Sequence, residues 1–349
     1  MDEIQSPYFI DWVITDKCNL SCRHCRGMLE GGLSNERAKK LIEEIAKLKP
    51  GWVIVEGGEP LLREDLFELL ELTRQKRLEL HVITNGLLIT PQIMTTLKEL
   101  EARVMISIDG ACQTTYESIR RGASFERVVQ SARSCAQQGL LEAINFTVLK
   151  KNYTEIPGIL ELAVSISAPK VTFIGLKPCH NYPEELLTPK EYGEAIKLTC
   201  QAAHKTGVEF FFDEPFFWPT VKDWGLMARM PAHGAGIVVP STTACAFGDY
   251  LFIEPNGAVK PCSFAQLVLG NVNDRPLDEI WCESLSSPFL QKIKDPKTRT
   301  GYCRSCPYLE ECKGCRSRTF ALTADWFGSD PVCPLRLKST VKGVDEVVL

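Results

Sequence analysis

Three cysteines crowd one short stretch near the start of the chain, Cys18, Cys22 and Cys25 in CNLSCRHC. Thiolates are soft donors that suit zinc or iron–sulfur clusters. Three of them on one loop can hold three irons of a cubane and leave the fourth iron without a protein ligand, and an open iron is a place for a reaction. Zinc fits less well, because a structural zinc takes four protein ligands, and this loop offers three cysteines and His24. Seven more cysteines gather toward the C-terminus: Cys245, then Cys262 in a GxxxxC run from Gly257, then Cys303, Cys306, Cys312 and Cys315 as CxxCxxxxxCxxC, and Cys333. Taken alone, their CxxC pairs would also suit zinc knuckles.

The total is fifteen cysteines in 349 residues. An odd count, behind an acidic start (MDEIQSPYFIDWVIT) that lacks the basic segment of an export signal, argues against a disulfide framework and for metal or redox chemistry in a cytoplasmic protein. Forty basic against forty-four acidic residues give a net charge of -4, with no footprint for nucleic acid or an anionic membrane surface. No apolar run reaches the roughly 20 residues of a membrane-spanning helix.

The elements that must position these thiols can be read from periodicity. Strand-like runs at 9–14, 52–55, 79–83, 104–108, 143–149, 171–176 and 208–212 alternate with helical segments, the pattern of parallel βαβ units. Ser34 is placed to cap a helix whose Ala38, Leu41, Ile42, Ile45 and Leu48 form one apolar stripe. Thr188, Pro189 and Glu191 spell a capping box with proline in the first turn. Six such units and a further strand suit a partial (β/α)6 barrel, an α/β fold with its chemistry at the C-terminal ends of the strands, where the first cysteine loop falls. Residues 213–244 break the pattern and read as a bridge, in which Phe216, Phe217 and Trp218 are expected to pack. A cysteine-rich domain follows over 245–349, with a β-hairpin turning at Asn256-Gly257, a dipeptide that tolerates positive φ.

The CxxxCxxC run after the first strand, with the GGEP of residues 57–60 after the second, resembles the radical S-adenosylmethionine (radical SAM) superfamily over residues 8–212. The resemblance implies that the open iron chelates the amino and carboxylate groups of SAM, and that one electron from the cluster cleaves the sulfonium to methionine and a 5'-deoxyadenosyl radical, which takes hydrogen from a substrate. It implies cofactor contacts from Gly57, Gly58, Glu59 and Pro60, from Thr84 and Asn85 after the third strand, from Ser107 and Asp109 of SIDG after the fourth, and from Arg121, whose guanidinium suits a carboxylate. For the four strand-end residues, simple capping is the competing role.

The C-terminal seven resemble the SPASM extension of radical SAM enzymes, which carries two auxiliary 4Fe-4S clusters, although this chain ends its middle run CxxC rather than CxxxC. The family's interleaved pairing implies that Cys303, Cys306, Cys312 and Cys333 close one cluster, while Cys245, Cys262 and Cys315 hold the other with one place unfilled. With the SAM-binding cluster the resemblance implies three in all. Of the other cysteines, Cys112, Cys135, Cys200 and Cys282 lie in or beside helical stretches and are expected as buried small hydrophobes. Cys179 follows the sixth strand at the reactive face beside His180, and three roles stay open for it: completing the open cluster, exchanging a proton or hydrogen atom with substrate, or packing.

For substrate, the resemblance implies an oxidative enzyme of peptide or protein maturation first, and oxidative decarboxylation of tetrapyrrole propionates in alternative haem biosynthesis second. The run at 312–334 is similar to the tail shared by pyrroloquinoline quinone-type and haem-forming members. A tetrapyrrole with several carboxylates wants converging cations, and the bridge supplies only Lys222 and Arg229. Met1 lies eight residues before the barrel, with no obvious winged-helix peptide-recognition domain ahead of it, and a separate recognition protein is the expectation for a peptide substrate. A flavodoxin- or ferredoxin-like protein is the implied electron donor and acceptor. A non-catalytic electron carrier is the reading outside enzymes, and it has no use for GGEP.

Overall fold

The computed structural model describes residues 5–27, 30–178, 183–226 and 245–339. Its main sheet holds β1 (Ile10–Val13), β3 (Val53–Glu56), β4 (Leu80–Thr84), β5 (Arg103–Ser107), β7 (Leu141–Val148), β8 (Lys170–Gly175) and β9 (Glu209–Asp213), side by side in chain order and all parallel. Two further pieces, β2 (Ser21–Cys22) and β6 (Arg120–Arg121), form a separate antiparallel pair. All seven strand-like runs of the sequence are strands here. The sheet does not close on itself, because β9 is an edge, so the architecture is a partial barrel.

Helices α1 (Asn35–Leu48), α2 (Leu66–Gln75), α3 (Pro91–Glu99), α4 (Gln113–Ile119), α5 (Phe125–Gln137), α6 (Ile156–Ser165) and α7 (Pro189–Thr206) connect the strands. Strand alternation decides what they cover. Ile10, Trp12, Val53 and Val55 are fully buried with Leu41 and Ile45 of α1, whereas Ile54 and Glu56 on the other face are only half-buried. The Ser34 hydroxyl accepts the Arg37 N–H, and Thr188 and Glu191 make both halves of the capping box. The bridge starts inside the barrel's packing. Phe216, Phe217 and Trp218 enter α8 (Phe217–Asp223) buried against Phe210, Phe212 and Tyr192. Residues 227–244 lie outside the described part.

The C-terminal region extends the barrel's own sheet. β10 (Leu251–Ile253) pairs parallel with β1, and β11 (Ala258–Lys260) and β12 (Gly270–Asn271) continue antiparallel from it. The hairpin turns through Glu254–Gly257, with positive φ at Gly257 alone, where a Cβ would meet the Asn271 amide oxygen at 2.7 Å. After it come α9 (Leu277–Ser286), α10 (Pro288–Lys294), α11 (Leu309–Cys312), α12 (Arg316–Thr323) and α13 (Arg336–Ser339). α9 docks on α1 through buried Glu44, whose carboxylate accepts the Leu277 N–H at 3.1 Å, at the positive end of α9, and pairs with Arg37 at 2.9 Å. Among the described residues no helix is long and apolar enough to cross a membrane.

Candidate active site

The first cysteine loop lies at the C-terminal mouth of the barrel and is tied down by strand ends on several sides. Gly58 N–H donates to the Thr15 carbonyl and Glu59 N–H to that of Lys17, each at 2.8 Å, so the GGEP turn is stitched to the residues entering the loop. A Cβ on Gly57 would meet the Thr15 carbonyl at 2.9 Å, and one on Gly58 would fall on the Lys17 backbone. The glycines therefore allow one segment of chain to approach another, a local reason for them that the sequence reading assigned to the ligand. Pro60 opens a short 3-10 turn, Pro60–Leu62, capped by the Glu59 carboxylate.

Glu59 is wholly buried and accepts from the Thr84 hydroxyl at 2.7 Å, the Asn85 N–H at 2.8 Å and the Leu61 N–H at 3.2 Å. Burial raises its carboxyl above the usual range, and these donors work against that rise. The Asn85 side chain donates in turn to the Asn19 side chain, inside the cysteine loop, at 2.8 Å.

Asp109, two residues past the end of β5, anchors the loop. Its fully buried carboxylate accepts the Thr147 N–H at 2.6 Å and the Arg120 Nε at 2.6 Å, and pairs with His24 Nε2 at 3.1 Å. Despite burial, Arg120 and His24 hold this carboxyl below the ordinary range. β2 and β6 add backbone pairing of Cys22 with Arg120 and of Ser21 with Arg121. Arg120 is the arginine that turns in, with Nη1 3.9 Å from the Cys22 sulfur, whereas Arg121 is exposed. Ser107 is buried at the end of β5. Sequence reasoning missed Arg120, and it also missed Arg26, which follows Cys25, pairs with Glu56 and lies 4.5 Å from the Phe252 ring centre. The paired RR of residues 120–121 was the available signal for Arg120.

Cys18 and Cys25 are exposed and Cys22 is half-buried, so the three sulfurs stand at the mouth. Burial pushes the Cys22 thiol up to about 11 and raises that of Cys18. A metal bound here displaces protons the loop would otherwise keep.

In the C-terminal region Cys303, Cys306, Cys312 and Cys333 line one small pocket together with Gly314 and Asp330. Cys245 lies close enough to Cys262 and to Cys315 for their charges to interact, and the Ser317 hydroxyl sits 3.3 Å from the Cys262 sulfur. These are the two sets that the resemblance implies. Burial raises the thiols of Cys245, Cys306, Cys312, Cys315 and Cys333, and every described cysteine is free of disulfide bonding. Among the described residues no three His, Cys, Asp or Glu side chains converge on a point suited to one metal ion. Four sulfurs around a shared pocket fit a cluster.

Two of the expected hydrophobic cysteines are corrected. Cys135 and Cys200 are buried in α5 and α7, but Cys112 and Cys282 are exposed. Cys112 is the residue before α4 and Cys282 lies on α9 away from α9's buried Ile280 and Trp281, so neither has a core face to enter. Cys179 and His180 lie outside the described residues.

The radical SAM superfamily model matches residues 12–163, and the iron-sulfur cluster-binding SPASM model matches 245–307. An AdoMet-dependent heme synthase of Methanosarcina barkeri is 30% identical over 95% of this chain and 97% of its own length. A mycofactocin maturase of Mycobacterium ulcerans is 27% identical over 95% of this chain and 88% of its own. Streptococcus suis SuiB, solved with its precursor peptide, superposes with a TM-score of 0.75 at 15% identity, over 94% of this chain and 76% of that one.

Proposed function

Since the chain belongs to the radical SAM superfamily and carries its SPASM domain, we propose that it oxidises the carboxylate-bearing side chains of a tetrapyrrole. The observation that carries this substrate class is the end-to-end similarity to an AdoMet-dependent heme synthase, 30% over 95% of this chain. It reverses the order that the sequence alone suggested. In this reading Cys18, Cys22 and Cys25 hold the SAM-binding cluster, Cys303, Cys306, Cys312 and Cys333 a second, and Cys245, Cys262 and Cys315 a third. When bound, these groups supply the electron that turns SAM into a hydrogen-abstracting radical and the route by which the substrate's electron leaves.

The protein's own groups do the rest. Glu59, fixed by Thr84 and Asn85, keeps the GGEP turn against the cluster loop, where it serves the SAM amino group. Asp109 and His24 keep that loop from swinging, and Arg121 remains exposed at the mouth for a carboxylate. The C-terminal region meets both edges of the partial barrel, a position from which it limits water at the mouth. Lys222 is engaged by Glu311, so the substrate's carboxylates need other cations. The protein works in the cytoplasm, with a flavodoxin- or ferredoxin-like electron partner.

Peptide maturation is the second reading, favoured by the mycofactocin maturase relative. The deciding experiment incubates anaerobically reconstituted protein with SAM and dithionite, and with either an iron porphyrin bearing propionates or a peptide. Loss of carbon dioxide from the porphyrin, together with 5'-deoxyadenosine, supports the first reading. Turnover of the peptide alone replaces it with the second, and SAM cleavage with neither would remove both.

A further inference from the structure

Two buried cations flank the inner cysteine set, Cys245, Cys262 and Cys315, from the barrel side. The first is Lys177, just beyond β8, with a side chain only 5% exposed. Its ammonium donates to the Asp213 carbonyl at 2.9 Å and the Asp213 carboxylate at 2.7 Å, and it stands 3.8 Å from Glu214. It also lies 5.1 Å from the ring centre of Phe264, two residues past Cys262. The second is Arg318, one turn along α12 from Cys315 and wholly buried.

The charges of the two cations are balanced differently. Arg318 is forked onto Glu214 and bonded to Asp330, two carboxylates as buried as itself. Lys177 is bonded to Asp213, which is 45% exposed and therefore screened by water, and shares the buried Glu214 with Arg318 at the longer distance of 3.8 Å. Both cations act on Cys315 through space, Arg318 the more strongly, and Lys177 adds its positive charge to the same sulfur. With its ammonium buried and two protons committed to Asp213, Lys177 is poorly placed to meet a substrate.

Reduction adds a negative charge to an iron–sulfur group, and a fixed cation in a low-dielectric site favours the more negative form. We infer that Lys177 is a positioning residue that raises the reduction potential of the group held by Cys245, Cys262 and Cys315, and so prepares it to accept the electron leaving the substrate. This rests on the reading that those three cysteines hold a cluster.

The test is an anaerobic redox titration of the full reconstituted chain, followed by electron paramagnetic resonance, on the wild type, Lys177→Met and Lys177→Arg. Glu214 keeps its fork to Arg318 in both variants, so the fold has no buried carboxylate left bare. Lys177→Met should move one auxiliary midpoint to a more negative potential and leave the other two clusters where they were, and Lys177→Arg should bring it back. Unchanged midpoints in Lys177→Met, with all wild-type clusters present, would overturn the inference. So would loss of the inner group's iron from Lys177→Met, since the lysine would then hold the site together rather than tune it. A wild type that assembles no iron and sulfide in its C-terminal region overturns the cluster reading itself, and total iron and sulfide analysis separates that failure from the others.

Discussion

Arg318 and Glu214 stand 104 residues apart in the chain and meet as a two-point pair, Nη1 and Nη2 each 2.7 Å from a carboxylate oxygen, with neither side chain exposed. Asp330 takes the other side of the guanidinium and also accepts the Cys315 N–H at 3.1 Å. Gly175 has no side chain because the Glu214 carboxylate fills the place. The pair fastens the β9 edge of the barrel to α12, as β10 fastens the β1 edge to the hairpin. The C-terminal region thus spans the opening that the sheet leaves.

Removing one member of a buried charge pair leaves the other uncompensated, which costs about 3–5 kcal/mol. Arg318→Met should therefore lower the thermal midpoint markedly, while Lys222→Met, at an exposed pair, should leave it almost unmoved. Equal midpoints in the two variants would remove the pair from any role in docking.

His24 and Asp109 hold the cluster loop without being expected ligands. Losing an outer partner of a metal site typically costs about 10- to 100-fold in affinity or activity. His24→Phe should show that loss in SAM cleavage or in retention of the first cluster, with iron in the C-terminal region unchanged. Iron analysis beside 5'-deoxyadenosine formation checks it.

The two cysteine groups should separate by function. Cys22→Ala should abolish SAM cleavage, and surviving 5'-deoxyadenosine production in that variant would sink the cluster assignment. Cys306→Ala should keep part of that cleavage and lose product, because its pocket is lined by the C-terminal region and Phe216, and by none of Cys18, Cys22 and Cys25.

Gly58→Ala places a methyl group on the Lys17 backbone, where nothing flexible can yield. Overpacking of this kind costs about 1–3 kcal/mol. Here it should appear chiefly as weaker SAM binding, measured by calorimetry on reconstituted protein, since the displaced segment leads directly into Cys18.

What the sequence determined by itself was local. The spacing of Cys18, Cys22 and Cys25, the alternation of the seven strands and the caps at Ser34 and Thr188 are each written within a few residues, and the structure keeps them. The tertiary structure decided whatever depends on register and on distant partners. Adjacent Arg120 and Arg121 point opposite ways along a strand, and only the pairing of β6 with β2 sends Arg120 toward Cys22. Whether Cys282 was buried depended on which side of α9 met α1. Asp109 could be seen as a strand-end carboxylate, but its link to His24 exists only because parallel strands bring their C-terminal ends to one mouth. The hairpin at Gly257 was legible as a turn, yet its pairing with β1 required the barrel to leave that edge open. A pair such as Glu214 and Arg318 has no local signature, because what makes it is exclusion of water by the two folded parts it joins.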